Sequence, residues 1–396
     1  MDSTAATQKL QTLRTLMTGH TDRNEEKQIL GLFANATAAE LNYLITNINV
    51  DALLSDVDNR LVGPDHLTTL LETLCVQRAH ELGLPVRAGL MFALQTGLTP
   101  QLAERMIQAL FLSTRGRELT EFKNLLDGRG TYRDLQQLVF SDVDSPSIRQ
   151  EILDHIRREA ETAPSGENKV LSDIDDTFIL NWKDTRYPPK TVYPGVLQFY
   201  RELDRGPGII PGREGDLTFV SARPMDPLGF IEDRTLATLR EHGVPTAAML
   251  SGAFTHLLGN SRIAEKKFDN FSRYVQLYPE YGFVFVGDSG QGDVAFGEQM
   301  LASHPETVRA VFIHDVVDTP ELVRKAWRDK RIFFFDTYVG AAVEAYQVGV
   351  IARDGVQRVV RTTREELEKV NFGSAEQREA RRADLSRDLQ RADALR

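Results

Sequence analysis

The sequence predicts an all-helical domain followed by an α/β domain that is built on a mostly parallel sheet. Apolar residues recur every three or four positions between residues 8 and 160, which is the period of amphipathic helices. Beyond residue 168, short apolar runs alternate with amphipathic segments, a pattern typical of βα units whose sheet is covered on both faces. The composition, with 41% hydrophobic and 26% charged residues, is that of an ordinary globular protein.

The helical domain, expected over residues 1–162, contains an internal repeat. Residues from Glu26 align with those from Glu104 at a constant offset of 78, and Ser-Asp-Val-Asp recurs at 55–58 and 141–144. We interpret the two Ser-Asp-Val-Asp stretches as helix caps or turns rather than calcium sites. The stretch from Met17 to Asp22 resembles the calcium loop of an annexin repeat, and 111–119 is similar to part of such a repeat. This resemblance implies annexin-like helical repeats, two in number where annexins have four.

The remaining boundaries follow from composition. Residues 163–168 lack large apolar side chains and include Pro164 and Gly166, which predicts a linker. The α/β domain is then expected over 169–360. Residues 361–396 are rich in arginine and glutamate and are expected to form a charged, exposed helix or a loose tail.

Charge and cysteine content exclude several classes of protein. The net charge of −10 argues against nucleic acid as a partner, because phosphate neutralisation needs an excess of lysine and arginine. A single cysteine, Cys75, excludes an internal disulfide and fits a reducing compartment. Neither a signal peptide nor a bilayer-spanning apolar run is recognisable. We therefore expect a cytoplasmic location and leave peripheral membrane contact open.

The strongest chemical signal is an apolar strand that ends in acidic residues, Val170-Leu-Ser-Asp173-Ile-Asp175-Asp176-Thr177. Asp173 and Asp175 are two positions apart, so a strand places both on one face. One carboxylate can attack phosphorus while the other donates a proton to the leaving oxygen. Thr177 supplies a hydroxyl for a phosphoryl oxygen.

A second apolar strand, Phe283–Val286, ends in Gly287 and Asp288, with Asp293 five residues later. These carboxylates suit Mg²⁺, which prefers oxygen ligands. A cation is needed in the site because an anionic carboxylate must approach an anionic phosphate. Asp293 has a simpler interpretation as the cap of a helix that begins at Val294.

Between these two acidic motifs lie a strand that ends in a hydroxyl residue and a pair of lysines. Ser221 follows the apolar run 217–220, and Lys266 and Lys267 lie near the start of a predicted helix. Taken alone, Ser221 can be a plain turn residue.

Together the four motifs resemble those of the haloacid dehalogenase superfamily of phosphohydrolases over about 170–316. The resemblance implies a Rossmann-like parallel sheet of haloacid dehalogenase type and the following site. It assigns the nucleophile to Asp173 and the general acid/base to Asp175, whose backbone carbonyl would also touch the metal. It assigns phosphate-orienting hydroxyls to Thr177 and Ser221, a charge-offsetting cation to Lys267, and further Mg²⁺ ligands to Asp288 and Asp293.

A finer resemblance is to the catalytic domain of the actin-patch-type phosphatidate phosphatases and their bacterial relatives. Residues 193–203, 287–293 and 304–316 are similar to that family, as is the position of Lys267 twelve residues before Pro279. The chain departs from the family at Ser221-Ala-Arg223-Pro224, where a second serine is usual, and at 294–296. The resemblance implies a phosphorylated lipid substrate.

The motif spacing predicts that the α/β domain lacks a large cap. Thr177 and Ser221 are 44 positions apart, and Ser221 and Lys267 are 46 apart, which leaves no room for a lid domain. An open site suits a substrate on a large surface, since lids serve to enclose small metabolites. Residues 187–193 and 206–215 are the predicted rim. Candidates to bind a second anionic group are Arg205, Arg213 and, as a substrate-binding residue, Arg223, which can equally pair with a neighbouring acid.

The sequence therefore supports one leading hypothesis and two alternatives. The leading hypothesis is a Mg²⁺-dependent phosphatase that acts through an aspartyl phosphate on a lipid such as phosphatidate. One alternative is a docking module in which the repeats of residues 1–162 bind a membrane or a protein assembly. The other is a phosphatase that acts on soluble or protein phosphomonoesters.

Overall fold

The structure is a computed structural model in which the chain divides into two compact units. The first unit comprises Met1–Leu126 and Leu135–Ala163, and the second comprises Asp127–Asp134 and Pro164–Arg396. The residues that the structure describes are 3–19, 21–57, 65–95, 100–127, 134–181, 183–208, 217–224, 237, 239–244, 248–252, 260–290 and 292–395. Within these ranges, no helix is apolar over enough of its length to cross a bilayer.

The described part of the first unit is all-helical. Its α-helices are α1 (Ser3–Leu16), α2 (Arg23–Asn35), α3 (Ala38–Thr46), α4 (Val50–Asp56), α5 (His66–Glu72), α6 (Leu84–Leu94), α7 (Gln101–Leu112), α8 (Gly116–Asp127), α9 (Leu135–Gln137) and α10 (Pro146–Thr162). Single π-turns, Thr73–Gln77 and Leu138–Asp142, extend α5 and α9, and a 3₁₀ turn covers Ala79–Glu81. At the predicted offset of 78, α2 corresponds to α7 and α3 to α8.

The helix ends of this unit follow from local sequence. Asp22 and Thr37 form capping boxes with the glutamates three residues later, Glu25 and Glu40. Both Ser-Asp-Val-Asp stretches end helical segments, with Val57 as the C-cap of α4 and Val143 as the C-cap of the second π-turn. The annexin relation stays a prediction.

The second unit is an α/β structure whose described strands form one parallel, six-stranded sheet in the order β3-β2-β1-β4-β5-β6. The predicted fold class is confirmed. The strands are β1 (Asn168–Ser172), β2 (Thr218–Pro224), β3 (Ala248–Gly252), β4 (Gly282–Asp288), β5 (Val308–His314) and β6 (Ile332–Phe335). The helices are α11 (Val196–Arg205), α12 (Asn260–Leu277), α13 (Asp293–Ser303), α14 (Glu321–Arg328), α15 (Tyr338–Gln347), α16 (Arg353–Leu367) and α17 (Ala375–Asp393).

The sheet topology places the ends of β1 and β4 side by side. Leu171 of β1 pairs with Thr218 of β2 on one side and with Phe285 of β4 on the other. The chain therefore runs outward from β1 in one direction first and in the other direction later. Such a reversal leaves a crevice at the carboxyl ends of the two central strands, where ligands bind in this class of fold.

A short hairpin, residues 179–192, lies between β1 and α11. Ile179 bridges to Val192 in antiparallel fashion, the Leu180 amide donates to the Thr191 carbonyl at 2.9 Å, and the Lys190 amide donates back to Leu180 at 3.2 Å. Part of the predicted rim, residues 187–192, thus belongs to this hairpin. Of the other rim segment, residues 209–215 lie outside the described residues.

The C-terminal residues form the expected charged and largely exposed helix, but this helix is packed on the domain rather than separate from it. The predicted boundary at 360/361 falls inside α16, and α17 packs on the domain core through Leu385 and Ala392, which are 7% and 1% exposed. Asp388 of α17 accepts a hydrogen bond from the Thr337 hydroxyl at 2.7 Å. Two apolar positions suffice to bury one stripe of an otherwise charged helix, and composition alone does not reveal them.

Candidate active site

Three buried carboxylates meet at the crevice between β1 and β4. Asp173, Asp288 and Asp293 each offer an oxygen that lies within 4.8 Å of the oxygens of the other two. All three side chains are buried, and Asp288 and Asp293 are 0% exposed. Among the described residues this is the one cluster of acids, histidines or cysteines that could hold a metal ion.

The ends of β1 and β4 and the start of α13 position the three carboxylates. Asp173 directly follows β1 and its amide donates to the Val286 carbonyl at 2.9 Å, which ties it to β4. Asp288 is the last residue of β4, and Asp293 is the first residue of α13. Gly287 makes the approach feasible, because a Cβ at this position would lie 2.6 Å from Oδ2 of Asp293.

Lys267 of α12 is the cation of the site. Its Nζ donates to Oδ1 of Asp173 at 2.7 Å and to Oδ1 of Asp293 at 2.6 Å, and the side chain is 3% exposed. Burial lowers the pKa of the Lys267 ammonium, but the two carboxylates raise it by more, so the net direction is upward. Lys266 is only half-buried. Of the two adjacent lysines, Lys267 is thus the one that the fold brings to the carboxylates.

Asp293 does not cap its helix, contrary to the simpler interpretation of this residue. The helix begins one residue earlier than expected, with Gly292 at the N-cap and no side-chain capping bond. The Asp293 carboxylate instead accepts from Lys267 and from the Asp288 amide, the latter at 3.2 Å. The N-terminus of the helix also favours its negative charge.

The electrostatics of the cluster favour a divalent cation. Burial raises the pKa of Asp173 to about 7 against the opposing effect of Lys267, and burial and the Asp293 and Asp173 charges raise that of Asp288 to about 9. One ammonium faces three carboxylates, which leaves two negative charges when all are ionised. Oδ2 of Asp288 is buried without a hydrogen-bond partner. An unpartnered oxygen and a charge of −2 are what a divalent ion with oxygen ligands would satisfy.

The other two predicted residues of the first motif occupy different surroundings. Asp175 is half-buried, and its Oδ1 accepts from Nδ2 of Asn181 at 2.7 Å. Thr177 is fully buried, and its Oγ1 has no hydrogen-bond partner. The Thr177 carbonyl accepts from the Tyr338 hydroxyl at 2.6 Å. The hydroxyl of Thr177 is therefore free to bind an incoming oxygen acceptor.

Two predicted residues are described only through their backbone. Ser221 and Arg223 belong to β2, next to β1, and their side chains lie outside the described residues. Arg213 also lies outside the described residues. A guanidinium nitrogen of Arg205, in α11, lies 3.9 Å from a carboxylate oxygen of Glu202, one helical turn earlier.

Several residues that hold the first motif in place were not predicted from the sequence to do so. Asp176 adopts a left-handed backbone (φ 59°), and its carboxylate accepts from the amides of Asn181 at 2.9 Å and Lys183 at 2.6 Å. Nζ of Lys183 also donates to the Gly290 carbonyl. These bonds join the 179–192 hairpin to the motif loops after β1 and β4. Asp176 stands inside the motif, but its partners become its neighbours only through the fold.

His314, at the end of β5, contacts the loop that follows β1. Its Nδ1 contacts the Asp176 carbonyl at 2.8 Å, and its Nε2 contacts Arg186 at 3.0 Å. A carbonyl only accepts and a guanidinium only donates, so the ring is neutral with its proton on Nδ1. Burial and the Arg186 charge lower its pKa to about 4. Arg186 is itself held by Asp184 at 2.9 and 3.0 Å.

Comparison with known protein families agrees with this geometry. Residues 168–315 match the family model described as "Phosphatidate phosphatase APP1, catalytic domain". This stretch is similar to the catalytic domain of the APP1-type phosphatidate phosphatases. It confirms the resemblance predicted from the four motifs, and it places the enzyme among phosphoric monoester hydrolases. The chain has no significant match among curated proteins or solved structures.

Proposed function

We propose that the chain is a Mg²⁺-dependent phosphatase that hydrolyses a phosphorylated lipid such as phosphatidate through an aspartyl phosphate. The observation that carries this proposal is the buried cluster of Asp173, Asp288, Asp293 and Lys267 within the segment that matches the APP1 catalytic domain. A phosphatase active site needs a nucleophile, a proton donor and positive charge around the phosphoryl group.

In the proposed first step, a carboxylate oxygen of Asp173 forms a bond to phosphorus while the bond from phosphorus to the ester oxygen breaks. Asp175 gives its proton to the departing oxygen, so the alcohol or diacylglycerol leaves as a neutral molecule. In the second step Asp175 takes a proton from water, whose oxygen attacks the same phosphorus. Phosphate leaves, and the Asp173 carboxylate is restored.

The neighbouring groups serve this reaction by charge and orientation. The Lys267 ammonium orients Asp173, and the hydroxyl of Thr177 is free to bind a phosphoryl oxygen. Asp173, Asp288 and Asp293 are the side chains that would hold Mg²⁺. The family resemblance adds the Asp175 backbone carbonyl as a further ligand. When bound, Mg²⁺ would offset the negative charge of the nucleophile and of the phosphate.

A lipid substrate is supported by one feature besides the family match. The described chain between β1 and α11 contains a short hairpin instead of a lid domain. A site with only a hairpin on this described side admits a headgroup that protrudes from a bilayer or vesicle. Soluble and protein phosphomonoesters remain the alternative that experiment must separate.

The test measures phosphate release from phosphatidate vesicles and from p-nitrophenyl phosphate, with Mg²⁺ and with EDTA. We expect Mg²⁺-dependent turnover of phosphatidate, and a loss of at least about 10³-fold in Asp173→Asn, which removes the nucleophile. Asp354→Asn, an exposed aspartate on α16, is the matched control and retains activity. No Mg²⁺-dependent turnover of either ester contradicts the enzyme proposal. Turnover of the aryl ester alone contradicts the lipid assignment.

A further inference from the structure

The hairpin beside the site carries a hydrogen-bonded chain that ends on Asp175. Nζ of Lys190 donates to Oδ1 of Asn181, and Nδ2 of Asn181 donates to Oδ1 of Asp175 at 2.7 Å. Asn181 and Lys190 lie near the two ends of the hairpin, where the Leu180 and Thr191 backbones pair. Neither residue belongs to the motifs that predicted the site.

This chain has a single consistent direction. A lysine ammonium can only donate, so the atom of the Asn181 amide that faces Lys190 must be its oxygen. The amide NH₂ group then faces Asp175, whose Oδ1 must accept. Lys190 thereby determines which end of the Asn181 side-chain amide faces Asp175.

The backbone holds this arrangement in place. The backbone N–H of Asn181 donates to Oδ1 of Asp176. Asn181 therefore stays beside the motif loop whichever way its side chain turns. Lys190 adopts a left-handed backbone (φ 65°), a conformation that lysine rarely takes and that is strained for a residue with a side chain. Strain of this kind persists when the surrounding structure requires the residue at that point.

We propose that Asn181 is a positioning residue that, oriented by Lys190, holds the Asp175 carboxyl group in place for proton transfer to the leaving oxygen. This inference rests on the proposed phosphatase function and deepens it. The importance of a proton donor depends on the leaving group. An alkoxide, such as that of a lipid glycerol, needs the proton to depart, whereas p-nitrophenolate departs without it.

The experiment compares Asn181→Ala with the unchanged enzyme on p-nitrophenyl phosphate and on an alkyl phosphomonoester, glycerol 3-phosphate. We expect kcat to fall on the order of 10²-fold for the alkyl ester and less than about tenfold for the aryl ester, since general acid catalysis contributes in that range. An equal loss for both esters would overturn the proposal, because a merely structural defect does not distinguish leaving groups.

Two further variants test the role of Lys190. Lys190→Met removes the donor that orients the amide, so we expect the same selective loss on the alkyl ester, smaller than in Asn181→Ala. Lys190→Arg keeps a donor and should restore most of the alkyl activity. If Lys190→Met reduces the turnover of both esters equally, the orienting role of Lys190 is wrong.

Gln377→Ala is the matched control for the hairpin. Its side-chain amide donates to the Thr185 carbonyl at 3.2 Å, on a part of the hairpin that does not contact Asp175. We expect it to leave the ratio of the two activities unchanged. Thermal unfolding of each variant excludes misfolding as the cause of a loss. If the unchanged enzyme hydrolyses phosphatidate alone, phosphatidate vesicles replace glycerol 3-phosphate as the alkyl ester, and thermally intact Asn181→Ala must lose activity on them. If the unchanged enzyme hydrolyses none of the three esters, the phosphatase proposal fails, and the role of Asn181 fails with it.

Discussion

At the scale of single residues, the structure shows which acids of an acidic chain meet in one buried cluster. Asp173, Asp288 and Asp293 are buried against one lysine, while Asp176, one residue from Asp175, binds two backbone amides instead. The sequence motif assigns a catalytic role to Asp175 and none to Asp176. The structural role of Asp176 could not be predicted, because the backbone amides that it binds belong to the hairpin that follows the motif.

From the burial of the His314 ring we predict how the stability of the second unit changes in acid. Its pKa is lowered from 6.5 to about 4, so the folded state binds the proton less well than the unfolded chain. Its contribution to stability is complete above pH 6.5 and is lost as the pH falls toward 4, by up to about 3 kcal/mol. We expect urea unfolding to show this loss.

His314→Asn is the variant that isolates this effect. It should be less stable than the unchanged protein at pH 7, because the contact to the Asp176 carbonyl is weakened. Its free energy of unfolding should then fall less between pH 6.5 and 4, since no ring is left to protonate. Parallel pH profiles for the two proteins would contradict the prediction.

Cys75 provides a second prediction at this scale. The thiol is fully buried in the first unit, and burial raises its pKa to about 12. A buried thiol that is almost wholly protonated does not react. We expect Ellman's reagent at pH 8 to label the native protein very slowly and the urea-unfolded protein at once. The chain has one cysteine, so the whole signal comes from Cys75, and rapid labelling of native protein would contradict its burial.

At the scale of elements, the helices and strands that local patterns predict are present, and their contacts decide their roles. The alternation beyond residue 168 predicted βα units, because burial on both faces of a parallel sheet demands continuous apolar runs. The charged C-terminal segment predicted exposure, yet α17 packs on α15. A helix with few apolar residues can be fixed by specific polar contacts, which periodicity does not detect.

The contact between α15 and α17 is testable at Gly340. A Cβ at Gly340 would lie 2.6 Å from Oδ2 of Asp388, the atom that accepts from Thr337. We expect Gly340→Ala to destabilise the second unit by about 1–3 kcal/mol in urea unfolding, despite the better helix propensity of alanine.

Gly31→Ala is the matched control for this substitution. Gly31 is also helical, in α2, and a methyl group added at this position would have nothing within 4 Å. Helix propensity should therefore stabilise the first unit by about 0.5–1 kcal/mol. If Gly340→Ala is also neutral or stabilising, the close packing of α17 on α15 is wrong.

At the scale of the whole molecule, metal binding should affect the unit that holds the acidic cluster. A ligand that binds only the folded state at 100 times its Kd stabilises by about 2.7 kcal/mol. We expect saturating Mg²⁺ to raise the Tm of the second unit by about 5–10 °C relative to EDTA, measured by calorimetry.

Asp288→Asn is the control for the metal effect. It removes one of the three carboxylates, so the Mg²⁺-dependent rise in Tm should largely vanish. In EDTA it should be at least as stable as the unchanged protein, because burial and neighbouring charges already disfavour ionised Asp288. A full Mg²⁺ shift in this variant would place the metal elsewhere.

The sequence by itself determined the fold class, the order of the motifs and the acids and lysine that meet at the sheet edge. It could do so because strand-end positions and motif spacing are local properties, and parallel strands bring their carboxyl ends together. Only the tertiary structure decided that Asn181, oriented by Lys190, contacts Asp175, that Asp293 does not cap its helix, and that α17 is packed. These contacts depend on side-chain direction and on chain segments that meet only after folding, which no periodic pattern in the sequence encodes.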